Sequence, residues 1–179
     1  MASPRPKKKF YTEAELYEYA VGSLARRMRT VAELKRLLRQ RVEAETEFGQ
    51  TLVELVIRRL KDQGYLNDAK YAATYSSLRR DNEKFGRMRV ITDLKVKGVQ
   101  GELIDEAVST AFDEVSDEKQ ARAFLHRKRV KKPDDQKRAA RIFRLLMRAG
   151  FRPKTIFTIL KKWDVDDETL AALEGEAQE

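Results

Sequence analysis

Residues 85–99 read Phe85-Gly86-Arg87-Met88-Arg89-Val90-Ile91-Thr92-Asp93-Leu94-Lys95-Val96-Lys97-Gly98-Val99. The end of this stretch recurs in outline 52 residues later, where Gly150 takes the place of Gly98 and each glycine is followed by an apolar residue. The same offset pairs Ile104 with Ile156 in the segments that follow. An internal period near 50 residues is typical of an array of helical repeats.

Residues 30–38 form an earlier copy of the same unit, because Leu38 aligns with Leu94 at an offset of 56 residues. Strand signals are nearly absent: the sequence has no Asn-Gly or Asp-Gly hairpin turn and no sustained alternation of apolar and polar residues. We therefore predict an all-α fold of three tandem three-helix repeats, stacked into an elongated array whose curvature stays open.

The predicted domain organisation has five parts. They are a disordered basic arm at residues 1–11, three-helix repeats at 12–66, 67–115 and 116–163, and an acidic C-terminal tail or short helix at 164–179. The third repeat is the basic one. Residues 1–9 hold two prolines and four basic residues with only one apolar side chain beyond the initiator methionine, so they cannot bury enough surface to become ordered.

Start and stop signals divide the chain into about nine helices before the acidic end. Thr12 and Thr30 each precede a glutamate by three residues, which is the spacing of a capping box. Asn67 and Ser116 are good N-caps, and Pro153 suits the first turn of a helix.

Apolar residues at helical spacing are predicted to form the core. The expected core residues include Leu55 on the third helix, Tyr75 and Leu78 on the fourth, and Leu103 on the sixth. The longest predicted loop is 42–49, which contains three glutamates.

Composition excludes several classes of site. The 179 residues contain no cysteine and a single histidine, His126, so disulfides, thiolate metal sites, thiol catalysis and sites with paired imidazoles are ruled out. No apolar run approaches the roughly 18 residues that a membrane span needs, and the first residues lack the apolar region of a secretory signal. We expect a soluble, cytoplasmic protein without a membrane partner.

The net charge of +9 is concentrated in one part of the chain. Residues 31–115 carry fifteen basic and fifteen acidic side chains, residues 116–162 carry sixteen and four, and residues 163–179 carry none and seven. An excess of +12 within one small repeat indicates a polyanionic partner, although a merely solvated charged face is the alternative.

The strongest local signal is a cationic stripe on the predicted helix 135–149. At 100° per residue, five cations share an arc of about 120°: Lys137, Arg138, Arg141, Arg144 and Arg148. The apolar residues Ala139, Ile142, Phe143 and Leu146 fall on the other side. Like charges this close destabilise a helix, so their clustering favours an external anion, and arginine suits both phosphate and carboxylate. The sequence leaves these two anions open.

Two further sets of basic residues are candidates for the same function. On the preceding helix and turn they are Arg122, Arg127, Lys128, Arg129, Lys131 and Lys132. In the second repeat they are Arg87, Arg89, Lys95 and Lys97. Gly86 begins a helix whose free N–H groups could receive a phosphate, although a simple turn residue is the other interpretation.

No enzymatic site is predicted. The sequence lacks a phosphate-binding P-loop, and no nucleophile and base occur at motif spacing. We predict no catalytic residue, no metal site and no cofactor.

Four blocks of this sequence resemble the signature blocks of the RecX family, bacterial regulators of the RecA recombinase. They are Gly64-Tyr65-Leu66-Asn67-Asp68-Ala69-Lys70-Tyr71-Ala72, Phe85-Gly86-Arg87-Met88-Arg89-Val90-Ile91, Leu94-Lys95-Val96-Lys97-Gly98-Val99 and Arg29-Thr30-Val31-Ala32-Glu33-Leu34. The resemblance covers residues 12 to 163. Asn67 stands where the family usually has aspartate and Phe85 where it often has tyrosine, and both replacements keep the cap and the aromatic packing.

The resemblance implies tandem three-helix repeats that bind the groove of the RecA filament on single-stranded DNA. Family members typically inhibit RecA by hindering filament growth, ATP hydrolysis and strand exchange, within DNA repair, recombination and the SOS response. The implied partners are RecA and single-stranded DNA, with double-stranded DNA left open, and the chain is expected to act as a monomer. Two alternatives remain: a stand-alone nucleic-acid-binding repeat protein, and an adaptor scaffold for acidic proteins.

The acidic end has two interpretations. Its seven carboxylates could compete with DNA for the basic repeat from a flexible tether, or Leu170 and Leu173 could dock the segment as a capping helix.

Overall fold

The computed structural model describes residues 10–176, and this part of the chain contains ten α-helices and no strand. The all-α prediction is confirmed. The tenth helix is the acidic segment, which the sequence left between a tail and a short helix.

The helices follow one another through short connections. They are α1 Glu13–Arg26, α2 Val31–Arg39, α3 Glu47–Asp62, α4 Asp68–Asp81, α5 Arg87–Val96, α6 Gly101–Ala111, α7 Asp117–Arg127, α8 Gln136–Arg148, α9 Pro153–Lys161 and α10 Asp167–Glu176. No helix within residues 10–176 combines the length and apolar content that crossing a membrane requires.

The predicted caps are confirmed. Thr12 and Thr30 form complete capping boxes with Glu15 and Glu33, so each threonine side chain and each glutamate satisfies a backbone N–H that the helix leaves unpaired. Ser116 accepts a hydrogen bond from the Lys119 amide, and Pro153 occupies the first turn of α9. Asn67 Oδ1 accepts a hydrogen bond from the Lys70 amide at 2.9 Å.

The chain divides into two compact units. The first holds the described residues up to Tyr71 together with Lys97–Gln100, and the second holds Ala72–Val96 and the described residues from Gly101 onward. Leucines of α1, α2 and α3 form the core of the first unit, where Leu16, Leu34, Leu38 and Leu60 are fully buried.

The second unit contains a large core built from α7, α8, α9 and α10. Fully buried side chains include Leu146, Ile156 and Leu160, and Phe124 and Phe151 meet edge to face with ring centres 6.0 Å apart. This core is the platform that holds the basic helix α8.

Several core predictions are wrong or incomplete. Leu55 and Leu78 are 46% and 52% exposed, and Tyr75 and Leu103 are only half-buried. Helical spacing marks an apolar face, but neighbouring elements decide how much of it is covered. The loop 42–49 is also shorter than predicted, because the Thr46 side chain caps α3 at the Gly49 amide and the helix begins at Glu47.

Glycines allow close backbone contacts in each unit. In the second unit the Gly86 amide donates to Ala149 O at 2.8 Å and the Met88 amide donates to Gly150 O at 3.2 Å. A Cβ on Gly86 would lie 2.3 Å from Gly150 O. In the first unit Thr30 Oγ1 donates to Lys97 O at 2.7 Å. Backbone carbonyls at the end of α8 therefore satisfy two amides at the start of α5, whereas the Thr30 hydroxyl at the start of α2 donates to the Lys97 carbonyl.

Candidate functional site

The basic helix α8 has the two faces that its sequence predicts. Asp135 caps it by accepting the Arg138 amide at 2.6 Å, and Ala139, Ile142, Phe143 and Leu146 are buried. The five cations of the stripe are all exposed: Lys137, Arg138, Arg141, Arg144 and Arg148. The apolar face fixes α8 on the core of the second unit, so the stripe is presented to solvent by packing rather than by a flexible loop.

The structure divides this stripe between two grooves. The first, which we call the α7–α8 groove, is open, has a volume of about 650 Å³ and is lined by Lys128, Val130, Lys131, Lys132, Arg138, Arg141, Ile142, Leu145 and Arg148. The second groove lies between α8 and α10, and Lys137 and Arg144 are its basic residues. The five cations therefore do not form a single continuous site.

The cations of the α7–α8 groove differ in their partners. Lys132 contacts Asp164 at 2.7 Å, and Arg138 forms an ion pair with Asp134 one turn earlier. Lys131, Arg141 and Arg148 have no acidic partner within residues 10–176. These three exposed charges are the part of the groove most available to an external anion.

The lining also lacks any carboxylate, so nothing in the groove itself neutralises these charges. Lys128 lies at the groove edge with its ammonium 6.0 Å from the centre of the Phe124 ring, a distance at which the ring face attracts the cation.

Other predicted residues of the third repeat are engaged within the second unit. Arg122 and Lys162 both contact Glu118 Oε1, at 3.0 and 2.7 Å, and Arg127 contacts Glu83 at 2.9 Å. The hydrogen bonds from Lys162 and then Arg122 hold the pKa of the Glu118 carboxyl below its ordinary value. Arg129 has a left-handed backbone with φ of 54° in the turn after α7.

The candidates of the second repeat are mostly committed to packing. Arg87 donates to Phe112 O at 3.0 Å, and Arg89 contacts Asp93 at 3.0 Å and lies over the Phe85 ring. Lys95 is exposed. The structure does not bring Arg87 and Arg89 into the lining of the α7–α8 groove.

Lys97 belongs to the first unit. Its ammonium contacts Glu33 Oε1 at 2.9 Å and lies 5.9 Å from the centre of the Tyr71 ring. Burial alone would raise the pKa of Glu33, but the hydrogen bond and charge of Lys97, with the Thr30 amide, lower it below the ordinary value. Lys97 therefore stabilises the start of α2 as part of the first unit.

Gly86 acts as a contact point and not as an open anion site. Its amide and that of Met88 are both taken by carbonyls at the end of α8, as described above. The turn interpretation fits this geometry better than the phosphate interpretation, because the Gly86 and Met88 amides are already paired with backbone carbonyls.

Sequence reasoning missed the apolar floor of the groove. Leu145 falls at about −20° on the helical wheel, between Arg138 and Arg141, so it lies inside the cationic arc. It is half-buried, as is Val130, whereas Ile142 is 6% exposed. An aliphatic residue inside a charged stripe was the signal that could have found it.

The acidic helix α10 is docked on the core of the second unit. Leu170 and Leu173 are 4% and 3% exposed and belong to the same core cluster as Leu146. Asp166 caps the helix by accepting the Thr169 amide at 2.7 Å, which lowers the pKa of its carboxyl. This geometry favours the capping interpretation of the acidic end over the flexible competitor.

No three or more Asp, Glu or His side chains within residues 10–176 are grouped to hold an ion.

Sequence comparisons identify the family to which these repeats belong. The family model described as "RecX, second three-helix domain" matches residues 67–108. The regulatory protein RecX of Trichlorobacter lovleyi is 30% identical over 152 residues, which cover 83% of this chain and 96% of that protein. The chain belongs to the RecX family. The RecX protein of Leptothrix cholodnii is likewise 30% identical, over 92% of this chain and 95% of its own length.

Some RecX relatives are considerably longer. The chain spans 59% of the length of the Bacillus licheniformis RecX, with which it is 28% identical. A solved RecX structure from Lactobacillus salivarius has a TM-score of 0.64 at 20% identity and covers 85% of this chain and 96% of that one. Another RecX crystal structure has a TM-score of 0.67 at 22% identity. At these identities the likeness supports the helical fold, and the family rests on the sequence relatives.

Proposed function

We propose that this RecX-family chain is a non-enzymatic inhibitor of RecA that binds the RecA filament on single-stranded DNA. In this proposal it hinders filament growth, ATP hydrolysis and strand exchange. The relatives are named regulatory proteins, which supports a regulatory role.

One observation carries the proposal most directly. Three exposed cations, Lys131, Arg141 and Arg148, line a single groove and have no acidic partner within the described residues. Like charges on one face cost stability unless an anion neutralises them. A nucleoprotein filament supplies anions in quantity, as DNA phosphates and as acidic protein side chains.

In this proposal RecA hydrolyses the ATP, and the chain slows that hydrolysis by binding RecA. The sequence has no P-loop with which to bind ATP, so any change in the rate of hydrolysis is a change at the nucleotide site of RecA. Bound along a filament, a repeat protein contacts its partner over an extended surface, which suits interference with subunit addition.

The experiment that tests this proposal is a titration of the chain into RecA on single-stranded DNA with ATP. We expect DNA-dependent hydrolysis and filament length to fall together, at ratios of the chain to RecA no higher than about one to one. Unchanged hydrolysis and filament length with the chain in excess would refute the inhibitory role.

A second candidate function is stand-alone binding to nucleic acid, and the same unpaired cations favour it. For single strands each phosphate contact contributes about 0.7 to the slope of log affinity against log salt. Replacing Lys131, Arg141 and Arg148 with glutamine should then lower that slope by about 2, the sum of three such contributions. Tight binding to naked single-stranded DNA, with no gain when RecA is present, would favour this alternative over the filament.

A further inference from the structure

The α7–α8 groove combines a basic rim with an aliphatic floor. The rim includes Arg141 and Arg148, and the floor is formed by Val130, Ile142 and Leu145. Leu145 is half-buried at a position where the helix otherwise presents arginine to solvent. Leu145 and Val130 pack against the core of the second unit on one side and leave part of their aliphatic surface in the groove lining.

The aliphatic floor favours anionic ligands with aliphatic groups over ligands with stacked bases. Sites that hold single-stranded nucleic acid usually stack the bases on aromatic side chains. None of the residues that line this groove is aromatic. Branched aliphatic side chains instead favour ligand groups that bury methyl and methylene surface, such as leucine, isoleucine, valine or methionine.

The charges of the groove complement a carboxylate-rich ligand. No acidic residue lines the groove, and Lys131, Arg141 and Arg148 are unpaired within the described residues. Arginine forms forked hydrogen bonds with carboxylates as well as with phosphates. The groove thus matches a chain segment in which aspartate or glutamate alternates with large aliphatic residues.

We infer that the α7–α8 groove binds an acidic protein segment anchored by an aliphatic side chain, and that it does not bind single-stranded DNA. This inference rests on the proposed function, because it assigns the groove to the protein component of the filament.

The test uses three labelled probes and measures their binding by fluorescence anisotropy. One is a synthetic peptide in which two leucines are flanked by aspartates and glutamates, and the second has serine in place of each leucine at the same net charge. The third is an oligothymidylate of about 15 nucleotides. Burying one leucine side chain corresponds to roughly tenfold or more in affinity, so the leucine peptide should bind at least about tenfold more tightly than the serine peptide.

Two variants separate the floor from the rim. Leu145→Gln removes one of the three aliphatic side chains of the floor without changing the charge, and it should reduce the preference for the leucine peptide. Arg141→Gln should weaken both peptides. Leu78→Gln is the control, because Leu78 is a surface leucine on α4 outside the groove lining, and it should leave all three probes unaffected.

Two outcomes would overturn the inference. Equal affinity for the two peptides would mean that the groove responds to charge alone. Loss of oligothymidylate binding in Leu145→Gln, with the peptides unaffected, would assign the groove to nucleic acid.

A parallel measurement of wild-type binding to RecA filaments keeps the two proposals apart. Preferential binding of the leucine peptide without filament binding would refute the proposed function but support the assignment of the groove to an acidic protein segment. Filament binding without any preference for the leucine peptide would support the proposed function and refute the assignment of the groove to an acidic protein segment.

Discussion

Replacing Gly86 with alanine should destabilise the second unit by separating α5 from the end of α8. The added Cβ would lie 2.3 Å from Gly150 O and 2.5 Å from Gly150 C, distances at which the backbone must move. The obstacle is backbone and not the tip of a flexible side chain, so local adjustment cannot relieve it. We therefore expect the two helix ends to move apart.

The size of the effect follows from the bonds that this movement breaks. The Gly86 amide donates to Ala149 O and the Met88 amide to Gly150 O, and each such bond contributes about 0.5–1.5 kcal/mol net. Alanine is also a poorer residue than glycine at a helix N-cap, which adds a few tenths of a kcal/mol or more. The expected loss in free energy of unfolding is about 2–4 kcal/mol, which includes some loss of packing around the contact.

Urea denaturation followed by circular dichroism measures this loss. Gly101→Ala is the matched control, because Gly101 begins α6 in the same unit and a Cβ there meets nothing within 4 Å. The control should be neutral or stabilising by up to about 1 kcal/mol, since alanine is the better helix former. Equal stability of Gly86→Ala and the wild type would show that α5 and α8 do not meet as described.

Two further stability measurements test other parts of the structure. Lys97→Met should lower the free energy of unfolding by about 1 kcal/mol at pH 7. Because the folded-state pKa of Glu33 is lowered, the pair contributes fully above the ordinary glutamate pKa of about 4.3. The contribution disappears as the pH falls through the lowered folded-state pKa, so the stabilities of wild type and variant in urea denaturation should converge as the pH is lowered below the ordinary glutamate pKa. A constant difference would contradict the pairing. Leu173→Ala should lower the free energy of unfolding by about 2–4 kcal/mol, because it leaves a cavity under α10. The control Glu174→Ala should change it by less than about 0.5 kcal/mol. Similar losses in the two variants would argue against docking of this helix.

Local signals in the sequence predicted most helix ends. The capping boxes at Thr12 and Thr30 and the N-caps at Asn67 and Ser116 act through contacts within four residues, so spacing alone reveals them. The exposure of Leu55 and Leu78 was not predictable in the same way, because it depends on which other helices cover them.

The candidate site shows the same division between local and long-range information. The helical wheel placed Arg141 and Arg148 on the exposed face of α8, and the structure agrees. The wheel could not indicate that Arg144 lines a different groove, because that depends on where α10 docks. The partners of Arg122 and Arg127 likewise come from other helices, since Lys162 shares Glu118 with Arg122 and Glu83 pairs with Arg127.

Binding to preformed RecA filaments on single-stranded DNA is the measurement that tests the central proposal most directly. The wild-type chain should be compared with a variant in which Lys131, Arg141 and Arg148 are glutamine, and with a control in which Arg36, Arg39 and Arg58 are glutamine. The control removes the same charge from exposed positions on α2 and α3. We predict that wild type and control bind and suppress ATP hydrolysis alike, whereas the groove variant loses at least about tenfold in affinity, or about 1.4 kcal/mol. Filament binding by the groove variant that equals the wild type, with both folded by circular dichroism, would contradict the account.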